Sequence, residues 1–184
     1  MSLSESPVFN RALAIVLTLE GGDSDHPHDR GGKTRYGISQ RAYPELDIKA
    51  LTLADAAAIY QRDYWLPAAC PQLPHRLGIA VFDSAVNQGV FRAVRLLQEA
   101  IGVPADGLFG PRSLSALNRR LRTEADEREL LVQFLGLRAR HYHELVFSTP
   151  AQAVFFPGWL RRLFLLQAWL CERITPPLPQ ELSP

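Results

Sequence analysis

Apolar residues recur every three to four positions through most of this chain, a period that predicts helices joined by short polar turns. Ser6 followed by Pro7 reads as an N-cap and a first helical position. From there Phe9, Leu13, Val16 and Glu20 fall on successive turns near one face, so an apolar stripe leads up to a carboxylate. Gly21 and Gly22 predict the end of that helix, because glycine accepts the left-handed geometry of a C-terminal cap. Thr52, with Asp55 three residues on, opens a second helix in the manner of a capping box. His75 to Gly89 carries Ile79, Phe82 and Val86 on one side, and Arg92 to Ile101 continues after a break at Gly89. Pro111 starts a helix through Leu121, and Thr123 to Val146 predicts a long one with Leu130, Phe134 and Leu137 inward. Residues 157–174 form the last, followed by a proline-rich tail expected to fray.

Two segments break the period. Residues 21–38, GGDSDHPHDRGGKTRYGI, hold five glycines, a proline and three aspartates, so no helix runs through them. Residues 102–111, GVPADGLFGP, form a second turn-rich stretch. The expected fold is all-α, with at most a small hairpin or irregular loop near residues 22–38.

A hydrophobic content of 47% over 184 residues supports a sizeable core. Twenty basic against nineteen acidic residues leave a charge of +1, which argues against nucleic-acid binding driven by bulk charge. Cys70 and Cys171 match no metal-ligand spacing, and two buried thiols or a single bridge both fit them. No basic leader precedes the first apolar run, so neither a secretory signal nor membrane insertion is expected, and the chain is expected to be made in the cytoplasm.

Chemistry concentrates around the first break. Cleavage of a glycosidic bond needs a carboxylic acid to protonate the leaving oxygen and a second group on the opposite face of the sugar. The acid has to hold its proton near neutral pH, and the negative end of a helix dipole disfavours a carboxylate. Glu20, closing an apolar helix, suits that task. Asp29 and Thr34 follow within the glycine-bounded loop, and an aspartate paired with a hydroxyl can hold and polarise a water molecule. Each of the three also has an ordinary structural explanation: a solvated helix end, a turn former, a strand or cap residue.

The run LEGGDSDHPHDRGGKTRYGIS resembles the signature of glycoside hydrolase family 108, the bacterial and phage N-acetylmuramidases. The matching positions are Glu20-Gly21-Gly22, Pro27, Asp29, Gly31-Gly32, Thr34 and Tyr36-Gly37-Ile38. His26 and Asp23 depart from the family pattern, in the loop beside the expected site. YQRDYWLP at 60–67, AVFDSAVNQG at 80–89 and FFPGWLRR at 155–162 resemble further blocks of the family. LLQEAIGVPADGLFGPRSLSAL at 96–117 is similar to peptidoglycan-binding repeats, through Gln98, Asp106-Gly107, Phe109-Gly110 and Ser113. That motif serves equally as a packing device between helices.

The resemblance implies a lysozyme-like fold, with residues 1–92 as catalytic region and residues 93–184 as a peptidoglycan-binding-like region packed on it in one unit. It implies hydrolysis of the β-1,4 bond between N-acetylmuramic acid and N-acetylglucosamine, with Glu20 as general acid and Asp29 and Thr34 managing the water. Tyr36, Asp83, Asn87 and Trp65 are the expected substrate-binding residues, though Asp83 and Asn87 fit an internal polar pair as well. No cofactor or metal is expected: residues 23–34 lack the glycine and glutamate of a calcium loop, and His26 and His28 lack zinc partners. Arg161-Arg162 reads as a solvated face. The expected partner of a monomeric enzyme is peptidoglycan, met in the periplasm or at the cell wall after delivery by a holin or a secretion system. A lytic transglycosylase and a non-catalytic peptidoglycan-binding module are the rival readings; Asp29 and Thr34 speak against the first and the complete set of three against the second.

Overall fold

A computed structural model describes residues 6–20 and 34–171 of the chain. They form seven α-helices: α1 (Pro7–Glu20), α2 (Leu53–Tyr60), α3 (His75–Gln88), α4 (Val90–Ala100), α5 (Pro111–Arg120), α6 (Glu124–Ser148) and α7 (Phe156–Cys171). Two-residue strands, β1 (Thr34–Arg35) and β2 (Ile38–Ser39), pair antiparallel with Thr34 opposite Ser39 and Arg35 opposite Ile38. The mainly helical fold expected from the sequence is the one observed, with a hairpin at the end of the glycine-rich break. Among the described residues no helix is long and apolar enough to cross a membrane.

The helix ends follow their local chemistry. The Phe9 amide donates to Ser6 Oγ at 3.3 Å, capping α1 as Ser6-Pro7 predicts. Thr52 and Thr123 each form a complete capping box, with Asp55 and Asp126 respectively. Gly89, at φ +85°, separates α3 from α4. After Tyr60 the backbone widens into a π turn at Gln61–Trp65, which the apolar period does not reveal. Short 3₁₀ turns at Cys70–Gln72 and Pro150–Phe155 are equally unannounced.

The described residues divide into two compact units, the division falling between Asp63 and Tyr64. In the first, α1 is buried along its middle, from Ala12 to Leu17, and emerges at an exposed Glu20. In the second, α6 is the hub: it packs on α3, α4 and α7, and α3 packs on α4. Leu130, Phe134 and Tyr142 line its buried stripe, with Arg138 fully buried among them. Cys70 and Cys171 are free thiols rather than a bridge. Burial pushes the Cys70 thiol well up from its ordinary value.

Candidate active site

The hairpin turn after Arg35 has only two residues, Tyr36 and Gly37, and both take positive φ, +52° and +76°. That geometry matches the right-handed twist of the flanking strands. It is common for glycine and uncommon for tyrosine. Tyr36 is held in it by the Tyr60 hydroxyl of α2, which donates to the Tyr36 carbonyl at 2.9 Å. The Arg35 guanidinium lies 5.2 Å from the centre of the Tyr36 ring and donates to the Lys49 carbonyl.

This turn meets the end of α1. A methyl group at Gly37 would stand 3.2 Å from Glu20 Cγ, 3.3 Å from its Cβ and 2.6 Å from Tyr60 Oη. Glycine is therefore required twice over, for backbone conformation and for space. The result is an exposed carboxyl group whose aliphatic stem rests on a braced backbone turn. Thr34 opens the hairpin, half-buried, two residues before Tyr36. Glu20, Thr34 and Tyr36 thus belong to one helix end and one hairpin of the first unit. Asp29 lies outside the described residues. Tyr60 is the member that the sequence reading missed; its place at the head of the YQRDYWLP block was the available signal.

The other expected substrate residues belong to the second unit and have partners there. Asp83 is fully buried and accepts from Arg138 Nη1 at 2.8 Å and from Arg162 Nε at 2.9 Å, with Arg162 Nη2 2.7 Å away in the same ion pair. Burial works against its charge, but the guanidinium groups of Arg162 and Arg138 outweigh burial and hold its carboxyl below the ordinary value. Arg138 Nη2 also donates to Tyr142 Oη at 3.1 Å, and that hydroxyl donates to Asn87 Oδ1 at 2.6 Å. Asp83 and Asn87 therefore belong to one polar network, which ties α3 to α6 and α7. Arg162, expected on a solvated face, is buried because Asp83 needs it; Arg161 alone is exposed. Trp65 is 3% exposed and packs edge-on against Phe82, with ring centres 5.4 Å apart. Among the described residues no group of three or more His, Cys, Asp or Glu side chains is placed to hold a metal.

The peptidoglycan-binding-like motif folds around Gln98. Its Nε2 lies 2.7 Å from Asp106 Oδ1, 3.0 Å from the Leu108 carbonyl and 3.1 Å from Ser113 Oγ, and its Oε1 accepts from the Gly107 amide at 2.8 Å. Asp106 satisfies the backbone of its own turn, accepting from the Leu108 amide at 2.9 Å. Phe109 is half-buried, and the ring against Gly107 is that of Phe91.

Residues 13–89 match the family model Glycosyl hydrolase 108, and residues 92–164 match one described as Predicted Peptidoglycan domain. The solved structure of Brucella abortus SagA is similar at a TM-score of 0.72 and 31% identity, covering 89% of this chain and 94% of that one. No curated protein matches the chain. The two family models define the class as a glycoside hydrolase that carries a peptidoglycan domain. With identity of that order over nearly the whole length, the chain belongs to the glycosyl hydrolase 108 family.

Proposed function

We propose that this protein is a muramidase, hydrolysing the β-1,4 bond between N-acetylmuramic acid and N-acetylglucosamine, with Glu20 as general acid. The observation that carries the reading is the mounting of Glu20: an exposed carboxyl at the end of α1, backed by the Gly37 turn that Tyr60 braces. An acid so placed reaches a polymer from solvent while its stem stays fixed, as proton delivery to a leaving oxygen requires. Bound glycan would supply the water exclusion that the exposed side chain lacks alone. Asp29 and Thr34 orient the attacking water in this reading, Tyr36 borders the sugar site, and the enzyme inverts the anomeric centre. Asp83 and Trp65, both buried, take no direct part in it. The place of action is the cell wall, reached through a holin or a secretion system.

Glu20→Gln keeps shape but has no proton to deliver, so turnover on purified peptidoglycan should fall at least about a hundredfold. Binding to the wall and thermal midpoint should stay near those of the parent. Mass spectrometry of the digest should show reducing-end muramic acid. A dominant anhydro-muropeptide would convert the reading to a lytic transglycosylase, and wall binding without any product would leave a binding module.

A further inference from the structure

A second feature of the first unit stands apart from the Glu20 turn. Residues 42–51 and one face of α2 line an open cavity of about 580 Å³, within the range of small-ligand sites. Leu46, Leu51 and Ile59 give it an apolar lining, while Glu45, Asp47 and Asp55 contribute carboxylates. The cation of the lining, Arg62, is already bound by Asp63, at 2.6 and 2.7 Å, so the uncompensated charge is negative. Thr52 holds Asp55 below the ordinary carboxylate value, through its hydroxyl first and its amide second.

The walls are built rather than incidental. Gln40 Nε2 reaches the carbonyls of Tyr43, Pro44 and Leu46 at 3.2, 3.1 and 2.8 Å, bracing the arch of the loop. Tyr43 Oη donates to Asp63 Oδ2 at 2.8 Å, fastening the arch to the π turn after α2. Asp55, Ile59 and Arg62 occupy successive turns of one helical face, whereas Tyr60 leaves the helix toward the hairpin. The cavity and the Glu20 turn are thus served by different faces of α2.

Asp55 accepts from Thr52 and Asp47 from the Lys49 amide, but neither these carboxylates nor Glu45 has a cation partner among the described residues. An apolar trough rimmed in this way suits a short aliphatic chain ending in an ammonium group. We propose that this cavity binds the diamino-acid side chain of the peptidoglycan stem peptide, its methylenes on Leu46, Leu51 and Ile59 and its amine at Glu45 and Asp47. The inference rests on the muramidase reading for its choice of occupant, and it makes stem-peptide composition a determinant of which wall is cleaved.

The probe is N-acetyl-L-Ala-γ-D-Glu-L-Lys, titrated into the full chain by calorimetry, with the free ε-amine and with that amine acetylated. Saturable binding is expected, weakened at least tenfold by acetylation and equally by the exposed double substitution Glu45→Gln/Asp47→Asn. Glu20→Gln should bind the probe as the parent does. No saturable binding, or equal binding of the acetylated probe, overturns the proposal. Binding of 1,5-diaminopentane without the tripeptide overturns the stem peptide as occupant. Glycan cleavage without probe binding would sink this inference alone, and probe binding without glycan cleavage would sink the muramidase reading alone.

Discussion

Gly37 couples the conformation of the hairpin to the position of Glu20. Alanine there must hold φ at +76° and place its methyl 2.6 Å from Tyr60 Oη. Gly37→Ala should cost at least about 1 kcal/mol from the backbone alone and displace Glu20 or Tyr60 as well. Wall-lytic activity should therefore fall more than the stability loss explains, since a small misplacement of a catalytic group is expensive. Tyr60→Phe removes the hydroxyl that the new methyl would strike, at a cost of about 1 kcal/mol for its hydrogen bond. Together the two substitutions should cost less than their sum. Urea denaturation of both single variants and the double variant tests this, and strict additivity would show that Tyr60 does not crowd Gly37.

The loop between α4 and α5 is organised by one side chain. Gln98 is 1% exposed and satisfies donors and acceptors on Asp106, Gly107, Leu108 and Ser113. Gln98→Ala leaves the Gly107 amide without its acceptor inside the protein, an expected loss of about 1–3 kcal/mol. Gly107→Ala meets a harder obstacle, with φ at +79° and its methyl 2.3 Å from the Phe91 ring. That substitution should be the more damaging of the two, and Phe91→Ala should recover part of it. Equal melting temperatures for Gly107→Ala with and without Phe91→Ala would contradict the packing described. The resemblance to peptidoglycan-binding repeats pointed to Gln98, Asp106 and Ser113. It did not disclose Phe91, because no local rule says which aromatic ring covers a turn.

Asp83 joins three helices through two guanidinium groups in the interior of the second unit. Removing the carboxylate strands two buried cations, so Asp83→Ala should cost about 3–5 kcal/mol. Because the folded-state carboxyl is held below its ordinary value, the stability it contributes is complete above the unfolded-state value of about 3.9. That stability is lost as the pH falls from there through the folded-state value. The advantage of the parent over Asp83→Asn should therefore shrink by up to about 1.4 kcal/mol per pH unit below pH ~4. Urea midpoints of both proteins between pH 6 and pH 2 check this; a constant gap over that range would mean that Asp83 carries no such linkage.

The sequence alone determined where the helices lie and how several of them begin. Ser6, Thr52 and Thr123 cap them, Gly89 and Pro111 punctuate them, and Glu20 stands where the first one stops. Each of these depends on groups within about four residues, the reach of a helical hydrogen bond. Tertiary structure decided which faces meet. It set Tyr60 against Gly37, drew Trp65 into the core and turned Arg162 inward to Asp83, 79 positions earlier. An arginine beside another arginine reads as solvated until a buried carboxylate is known to face it, and that facing is a property of packed helices rather than of any local segment.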